Sequence, residues 1–373
     1  MASVLLFWLK IHLRTAVAAW QAFGLSRNTL VYAVRRPLAM ALMRGALALD
    51  NVFFPGIRRV EVRKPVFIIG HPRSGTTFLQ LLLTQTNEFC AFAAWEIFLP
   101  SLVARKLLRR LIERRIGQGQ ATFLPPEVGH EVALDQVEED ELLLIYTGNT
   151  QAVTTISPLA LGDWDFAELV YADQQPEPVR RKTMEFLKGC YQRQIFATGK
   201  TQVVAKLTYS GMRLRSLLAA FPDAKIVYVV RSPLETISSH LTLERNLFAH
   251  MFGPVRLSPA LLERYHRRRY ESIIAYYRYV EELREKGDLP PERFMALSYD
   301  ELRENLAATI DRVVAFTGLE LSVELRRKIA EQDRKQQAYQ PKHANLHLEE
   351  FGLTEERVRA DLAFVFDTYG FRG

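Results

Sequence analysis

The sequence predicts an α/β protein in which a mostly parallel sheet lies between two layers of helices. Short apolar runs rich in β-branched residues occur at residues 66–69, 203–208, 225–230 and 294–299. Predicted helices separate or follow them, for example 177–196, 258–285 and 301–317. Because such alternation is typical of parallel sheets covered on both faces, we expect a three-layer sandwich. Ligands of these sheets bind beyond the carboxyl ends of the strands.

Composition agrees with a globular protein and limits its partners. The chain has 373 residues, of which 48% are hydrophobic and 24% charged, and this is ordinary for a chain that buries a core. A net charge of +7 suits an anionic ligand or membrane surface but is too small to indicate nucleic acid, which we do not expect as a partner. Cys90 and Cys190 are the only cysteines, so a reducing compartment such as the cytoplasm is expected.

Residues 1–55 are predicted to form a helical extension, followed by the main domain at 56–373. The extension is mostly apolar, with Arg and Lys spaced through it, and its uncharged runs are shorter than the roughly 18 residues that span a bilayer. Two interpretations are open. The extension rests on a membrane as interfacial helices, with its basic side chains toward anionic headgroups, or it packs on the main domain.

The first strand leads into a loop that is typical of a phosphate site. Gly70 and Gly75 bracket the loop, and a helix is predicted from Thr76 onward. Backbone N–H groups at the start of such a helix point at one place, where an anion is favoured. A Walker A loop would need Lys at the position of Thr76, and its absence argues against γ-phosphoryl transfer. Arg73 offers a planar cation in its place.

This loop resembles a known family. The hexapeptide P-R-S-G-T-T at 72–77 is similar to the 5′-phosphosulfate loop of sulfotransferases that use 3′-phosphoadenosine 5′-phosphosulfate (PAPS), in the form found in bacterial members and tyrosylprotein sulfotransferases. The resemblance runs from about Val52 to the C-terminus. It implies a P-loop-like fold, metal-independent sulfuryl transfer from PAPS, and phosphosulfate contacts from Arg73, Ser74, Gly75, Thr76 and Thr77.

Two further segments resemble the rest of the family's nucleotide site. Arg231 follows the strand at 225–230, and Ser239 lies two turns into the next helix, as in the motif that holds the 3′-phosphate of PAPS. A guanidinium and a hydroxyl can grip one phosphate from two sides. Tyr299 ends the last strand and resembles the family's tyrosine near the adenine, although a core or surface Tyr would have the same sequence pattern.

The reaction needs a base for the acceptor hydroxyl and positive groups near the oxygens that gain charge. Glu96, just past an expected second strand, resembles the base of the tyrosylprotein enzymes. Lys206, at a strand end, resembles their Lys at the leaving-group oxygen. His130 is the alternative base, because cytosolic sulfotransferases use a His. Lys342 loosely matches the family's closing loop.

The acidic run at 138–141 has two open interpretations. It is either the solvated first turn of a helix, where carboxylates favour the dipole, or part of a substrate pocket.

The expected function is therefore sulfuryl transfer from PAPS to a hydroxyl, with release of 3′-phosphoadenosine 5′-phosphate (PAP). Alternatives are a nucleotide-dependent phosphotransferase and a non-catalytic, membrane-associated interaction protein. The sequence leaves the acceptor open among sugars, sterols, lipids, peptides and small alcohols. A membrane-resting extension would favour a lipid-like or amphiphilic acceptor.

Overall fold

A computed structural model describes residues 2–253, 257–336 and 345–371. Its strands are β1 (Arg63–Ile69), β2 (Thr122–Leu124), β3 (Val132–Ala133), β4 (Gln202–Lys206), β5 (Lys225–Val230) and β6 (Phe294–Ser298). Four of them form one parallel sheet in the order β4-β1-β5-β6, while β2 and β3 make a separate antiparallel pair. The predicted mostly parallel sheet is confirmed, and each of its four strands overlaps a predicted run.

The strand order places a crevice at the carboxyl edge of the sheet. The chain leaves β1 toward β4 on one side, then crosses to β5 and β6 on the other. Ligands of parallel sheets bind where the strand order reverses in this way. The loop after β1 and the residues after β5 therefore face each other across that edge.

The helices run along both faces of the sheet. Their bounds are α1 (Ala2–Phe23), α2 (Arg27–Leu30), α3 (Arg36–Phe53), α4 (Thr76–Thr84), α5 (Ala94–Phe98), α6 (Leu102–Gly117), α7 (Ala152–Thr155), α8 (Ala167–Val170), α9 (Glu177–Thr198), α10 (Leu214–Ala220), α11 (Pro233–Phe252), α12 (Pro259–Glu285), α13 (Tyr299–Glu304), α14 (Leu306–Thr317), α15 (Val323–Gln336), α16 (Glu355–Asp361) and α17 (Ala363–Tyr369). Phe67 and Ile69 of β1 point into a core shared with α9, α10 and α12. Val66 and Ile68 point to the opposite face, which α4, α14 and α15 cover. This alternation gives the predicted three layers.

The N-terminal segment forms helices α1, α2 and α3, and its inner face is packed on the rest of the chain. Ile11 is buried against a cluster in the region 145–169, and Met43 and Leu47 are buried against Ala104 of α6. A π-helical turn at Val31–Arg35 joins α2 to α3. Pro37, the second residue of α3, has no N–H to donate to this turn. Within the described residues, no helix is long and apolar enough to cross a membrane.

Some sequence predictions need correction. The strand expected before Glu96 is reduced to two isolated bridges, at Cys90 and Ala93, because the chain turns there into the short helix α5. The helix predicted over 301–317 is broken at Asn305 into α13 and α14. Lys342 lies outside the described residues.

One buried carboxylate ties the extension to the main domain. Asp50, fully buried at the end of α3, accepts hydrogen bonds from the Ser101 hydroxyl and from the N–H groups of Leu102 and Val103. It therefore caps α6, whose first N–H groups lack helical partners. The Arg193 guanidinium of α9 donates to the same carboxylate at 2.8 Å.

We predict that Asp50→Asn lowers the free energy of unfolding by roughly 3–5 kcal/mol, because it leaves the Arg193 charge buried without its counter-ion. Urea titration of the wild-type and variant proteins measures the change. Asp311→Asn is the control, since Asp311 is exposed and only loosely paired with Arg326 at 3.8 Å, and it should change stability by less than about 0.5 kcal/mol. Equal effects of the two substitutions would contradict a bridging role for Asp50.

Candidate active site

A cleft of about 230 Å³ opens at the carboxyl edge of the sheet. Residues after β1, β5 and β6 and at the end of β4 line it, together with residues from the region 130–139 and from α11. The lining residues are Pro72, Arg73, Gly75, Thr76, Thr77, Phe78, His130, Glu139, Lys206, Thr208, Arg231, Leu243 and Tyr299. Most of the residues predicted from the sequence therefore meet in one place.

The loop after β1 has a backbone that few residues adopt readily. Gly75 is the N-cap of α4 at φ 100°, and Arg73 is left-handed at φ 76°. A non-glycine residue in this region costs roughly 1–3 kcal/mol unless its surroundings hold it. Arg73 is held because its Nε donates to the Ser239 hydroxyl at 2.9 Å and its guanidinium donates to the Gly129 carbonyl at 3.0 Å.

The same loop has a buried hydroxyl that could donate a hydrogen bond to an anion. Ser74 is fully buried, and its Oγ has no hydrogen-bond partner among the described residues. An unpaired buried hydroxyl is costly, so it is expected where a ligand completes its bonding. The Tyr299 ring covers Gly75 so closely that a side-chain Cβ added to Gly75 would overlap the ring. Only glycine therefore fits between the loop and Tyr299.

Arg231 and Ser239 lie beside Arg73 rather than against each other. The Arg231 guanidinium lies over the Tyr299 ring at 4.7 Å, donates to the Arg73 carbonyl at 3.3 Å and pairs with Glu235. Ser239 is buried and accepts the Arg73 hydrogen bond instead. The structure thus gathers both predicted 3′-phosphate residues and the predicted adenine residue around the loop after β1. This loop, residues 70–75, is called the phosphate loop below.

Lys206 is buried at the end of β4 and reaches the start of α4. Its ammonium donates to Thr77 Oγ1 at 2.8 Å. It lies 3.6 Å from a carboxylate oxygen of Glu138 and 3.6 Å from one of Glu139. Two carboxylates therefore balance this buried cation, and all three groups adjoin the phosphate loop.

The acidic run at 138–141 is not a solvated helix start. Asp140 and Glu141 are fully buried, and the Lys206 backbone N–H donates to Asp140 at 2.9 Å. Burial raises the pKa of Asp140 to about 8. Glu141 accepts bonds from the hydroxyls of Thr150 and Ser210, each at 2.6 Å. Of the four residues in this run, Glu139 lines the cleft.

The pKa values of Glu138 and Glu139 are shifted in opposite directions. Burial alone would raise the pKa of Glu138, but Lys206 and a hydrogen bond with His130 outweigh it and lower the pKa to about 2. Burial raises the pKa of Glu139 to about 7, since Lys206 opposes it only in part and the charges of Glu138 and Glu141 add to it. Neighbouring carboxyls with separated pKa values are typical of acid–base sites.

Glu96 lies outside the cleft lining. Its carboxylate accepts from the Ala93 N–H at 2.9 Å and from the Gln194 amide at 2.8 Å, and it pairs with Arg105 at 3.3 Å. These bonds cap α5 and occupy both oxygens. The alternative base, His130, lines the cleft, with Nε2 3.3 Å from Glu138. The structure therefore separates the two base candidates named from the sequence.

The sequence did not single out Phe78, Thr208, Leu243 or the role of Glu139. Leu243 had a usable signal, because it lies one turn after Ser239 and so on the same face of α11. Glu139 had none, because neighbouring acidic residues look alike in sequence. Among the described residues, no group of three or more His, Cys, Asp or Glu side chains is arranged to hold a metal ion.

Known proteins resemble this chain in sequence and in fold. The omega-hydroxy-beta-dihydromenaquinone-9 sulfotransferases Stf3 of Mycobacterium tuberculosis and Mycobacterium bovis are each 25% identical over 260 residues, which cover 68% of this chain and 63% of the relative. The crystal structure of sulfotransferase STF1 from Mycobacterium tuberculosis has a TM-score of 0.69 at 20% identity, over 95% of this chain and 92% of that one. Sulfotransferase STF9 from Mycobacterium avium has a TM-score of 0.70 at 18% identity, over 96% of each chain.

The two crystal structures confirm the P-loop-like α/β fold. A sequence model of the "Sulfotransferase family" matches residues 65–323. This range is more than half of the chain and contains every residue that lines the cleft. On this match, the chain belongs to the sulfotransferase family.

Proposed function

We propose that the protein transfers a sulfuryl group from PAPS to the hydroxyl of a lipid-like acceptor and releases PAP. One observation supports this most strongly. The phosphate loop, with a Ser74 hydroxyl that has no partner among the described residues, adjoins the ion pair between the buried Lys206 and Glu139 in a single cleft. Anion binding and proton removal thus have their groups side by side.

The donor site follows from the loop and its neighbours. The N–H groups at the start of α4 and the Ser74 hydroxyl would hold the 5′-phosphosulfate. Arg231 and Ser239 would hold the 3′-phosphate, and Tyr299 would lie near the adenine. Thr76 stands where a nucleoside triphosphatase has its Lys, and this supports a donor without a γ-phosphate.

We propose Glu139, not Glu96, as the general base. One Glu139 oxygen is buried without a hydrogen-bond partner in the described chain, and the residue lines the cleft. The Glu139 carboxylate takes the proton of the acceptor hydroxyl while the acceptor oxygen forms its bond to sulfur. The bond between sulfur and the bridging phosphate oxygen breaks, and PAP leaves with the electron pair. Lys206 donates to the oxygens that gain charge.

Neighbouring groups would keep Glu139 ready for this step. Glu138 stays ionised and pairs with both His130 and Lys206, so it neutralises part of the cation that would otherwise hold Glu139 deprotonated and weakly basic. A base with a pKa near 7 removes a proton efficiently near neutral pH.

A lipid-like acceptor is supported by two observations. Phe78 and Leu243 place apolar side chains in the cleft beside its charged ones. The Stf3 relatives are named for a hydroxylated dihydromenaquinone as substrate, and this chain spans 63% of their length. We propose an amphiphilic alcohol for this protein, together with peripheral membrane contact through residues 1–50.

The donor prediction concerns nucleotide selectivity. PAP should raise the melting temperature far more than ATP or GTP at equal concentration, because binding to the native state stabilises it by mass action. Differential scanning fluorimetry measures the shifts. Equal stabilisation by ATP would favour a phosphotransferase instead.

The 3′-phosphate prediction concerns Arg231. Arg231→Ala should weaken PAP binding by roughly 2 kcal/mol, about 30-fold, because it removes a charge-assisted hydrogen bond. Binding of adenosine 5′-phosphosulfate, which has no 3′-phosphate, should hardly change. Isothermal calorimetry with both ligands makes the comparison.

Arg245→Ala is the matched control for Arg231→Ala. Arg245 lies on α11, is exposed and pairs with Glu350 outside the cleft lining, so its loss should leave both affinities unchanged. A parallel loss of both ligands in Arg231→Ala would show that Arg231 acts on the loop structure and not on the 3′-phosphate.

The base prediction compares two isosteric variants. Glu139→Gln should lower turnover by roughly 100-fold or more with PAP affinity kept, because it removes the proton acceptor. Glu96→Gln should affect stability more than turnover. Turnover by the wild type should rise with pH through about 7, as the Glu139 carboxyl loses its proton, and the variant should lose this rise.

Release of PAP from PAPS, with an extract of lipid alcohols as acceptor, measures turnover at each pH. If Glu96→Gln abolishes turnover and Glu139→Gln does not, the base is Glu96. Collapse in His130→Ala with a normal Glu139→Gln would assign the base to His130.

A further inference from the structure

Exposed apolar side chains are concentrated on one part of the molecule. Of the 23 large hydrophobic residues that the described chain exposes, 13 lie between Leu5 and Phe53 and three more lie on α6. Scattered exposed leucines are normal for a soluble surface, but a dense group of them marks an interaction site.

The outer face of α3 is apolar along its whole length. Leu38, Leu42 and Leu49 are 58%, 68% and 47% exposed, and Val52 continues their helical spacing. None of the exposed positions between 37 and 53 is charged. On an ordinary surface helix, the side that faces solvent carries charged and polar residues.

The outer face of α1 continues this surface. Leu6, Leu9, Leu13 and Trp20 are exposed and share one side of the helix. The opposite side, which includes Ile11 and Ala18, is buried.

The two outer faces point the same way. Trp8 of α1 lies 4.5 Å from the Arg44 guanidinium, and His12, one turn further on, contacts Met40, one turn back along α3. This pairing makes α1 and α3 antiparallel neighbours joined along one seam. Because both helices bury the side that faces the main domain, their exposed apolar sides lie together on the outside.

Helix α6 packs beside α3 and extends the surface. Ala104 of α6 is buried against Met43 and Leu47 of α3, while Leu107 and Leu111 are 76% and 57% exposed. Lys106, Arg110 and Arg114 are exposed on the same helix. Basic side chains therefore adjoin apolar ones at this edge.

The charge of the protein is concentrated in the same helices. Residues 1–59 and α6 together contain 14 Lys or Arg and two acidic residues, for a net charge of +12. The whole chain has a net charge of +7, so the remainder is at −5. An apolar surface set within a strongly basic region complements an anionic bilayer.

We propose that the outer faces of α1, α3 and α6 form one membrane-docking surface, which lies flat on an anionic lipid bilayer. The leucines enter the boundary between headgroups and acyl chains, and the flanking Arg and Lys residues contact lipid phosphates. A second copy of this chain is a poorer occupant, because it would bring two regions of charge +12 together.

This surface is close in the chain to the cleft. Helix α6 leads into β2, where Phe123 is exposed, and six residues later Gly129 bonds Arg73 and His130 lines the cleft. Six residues span at most about 20 Å. Where the proposed function holds, a lipid acceptor can therefore reach the cleft directly from the bilayer.

The test is flotation of the full chain with vesicles. The wild type should float with phosphatidylcholine vesicles that contain phosphatidylglycerol and stay unbound with pure phosphatidylcholine. The triple variant L38E/L42E/L49E should lose at least about tenfold in binding, because three apolar side chains no longer enter the lipid. Its melting temperature and PAP affinity should stay unchanged, since all three positions are exposed.

Two further variants make the result specific. The triple control L81E/L262E/V323E replaces exposed hydrophobic residues elsewhere and should float like the wild type. The charge reversal R110E/R114E should weaken binding to anionic vesicles and decides the outcome if the α3 variant is unstable.

Absence of wild-type flotation, or equal flotation of L38E/L42E/L49E and the wild type, overturns the proposal. So does a wild-type dimer in sedimentation velocity that the α3 variant dissociates while no protein floats, because the surface would then bind a second copy. A protein that floats but does not bind PAP would refute the proposed donor and leave the docking surface standing.

Discussion

The site depends on the burial of one ammonium group. Lys206 ends β4 inside the protein, where an unpaired cation would be very costly. Its charge is balanced by Glu138 and Glu139, and its third contact is Thr77 at the start of α4. To satisfy this cation, the fold must bring together a strand end, the phosphate loop and a segment more than 60 residues earlier in the chain. The same three parts form the floor of the cleft.

The acidic run divides the work among adjacent residues. Asp140 accepts the backbone N–H of Lys206 and so fixes the run beside β4, while Glu141 is held by two hydroxyls. Anchored at this end, the chain presents Glu138 to His130 and leaves one oxygen of Glu139 without a hydrogen-bond partner in the described chain. Burial then acts on that carboxyl more strongly than its neighbours do, and its pKa rises toward neutrality.

Local patterns predicted the sheet and the phosphate loop, because a strand or a glycine turn depends mainly on residues nearby in sequence. The four sheet strands and the loop at 70–77 were found in this way. The partners of the carboxylates, in contrast, lie far from them in the sequence. Glu96 is occupied by Gln194, almost a hundred residues later, and the burial of 138–141 depends on Lys206. A single sequence contains no signal of such distant partners, so it indicated Glu96 as the base and did not single out Glu139.

The net charge of the chain also has a different meaning once its location is known. From the total of +7 alone, an anionic donor and an anionic membrane are equally good explanations. In the structure, the excess of positive charge lies in residues 1–59 and in α6, and the remainder of the chain is net negative. Under the proposed function, the cleft would therefore attract its anionic donor through the N–H groups at the start of α4 and the guanidiniums of Arg73 and Arg231. The positive charge of the outer helices would instead attract the anionic bilayer that we propose as their partner.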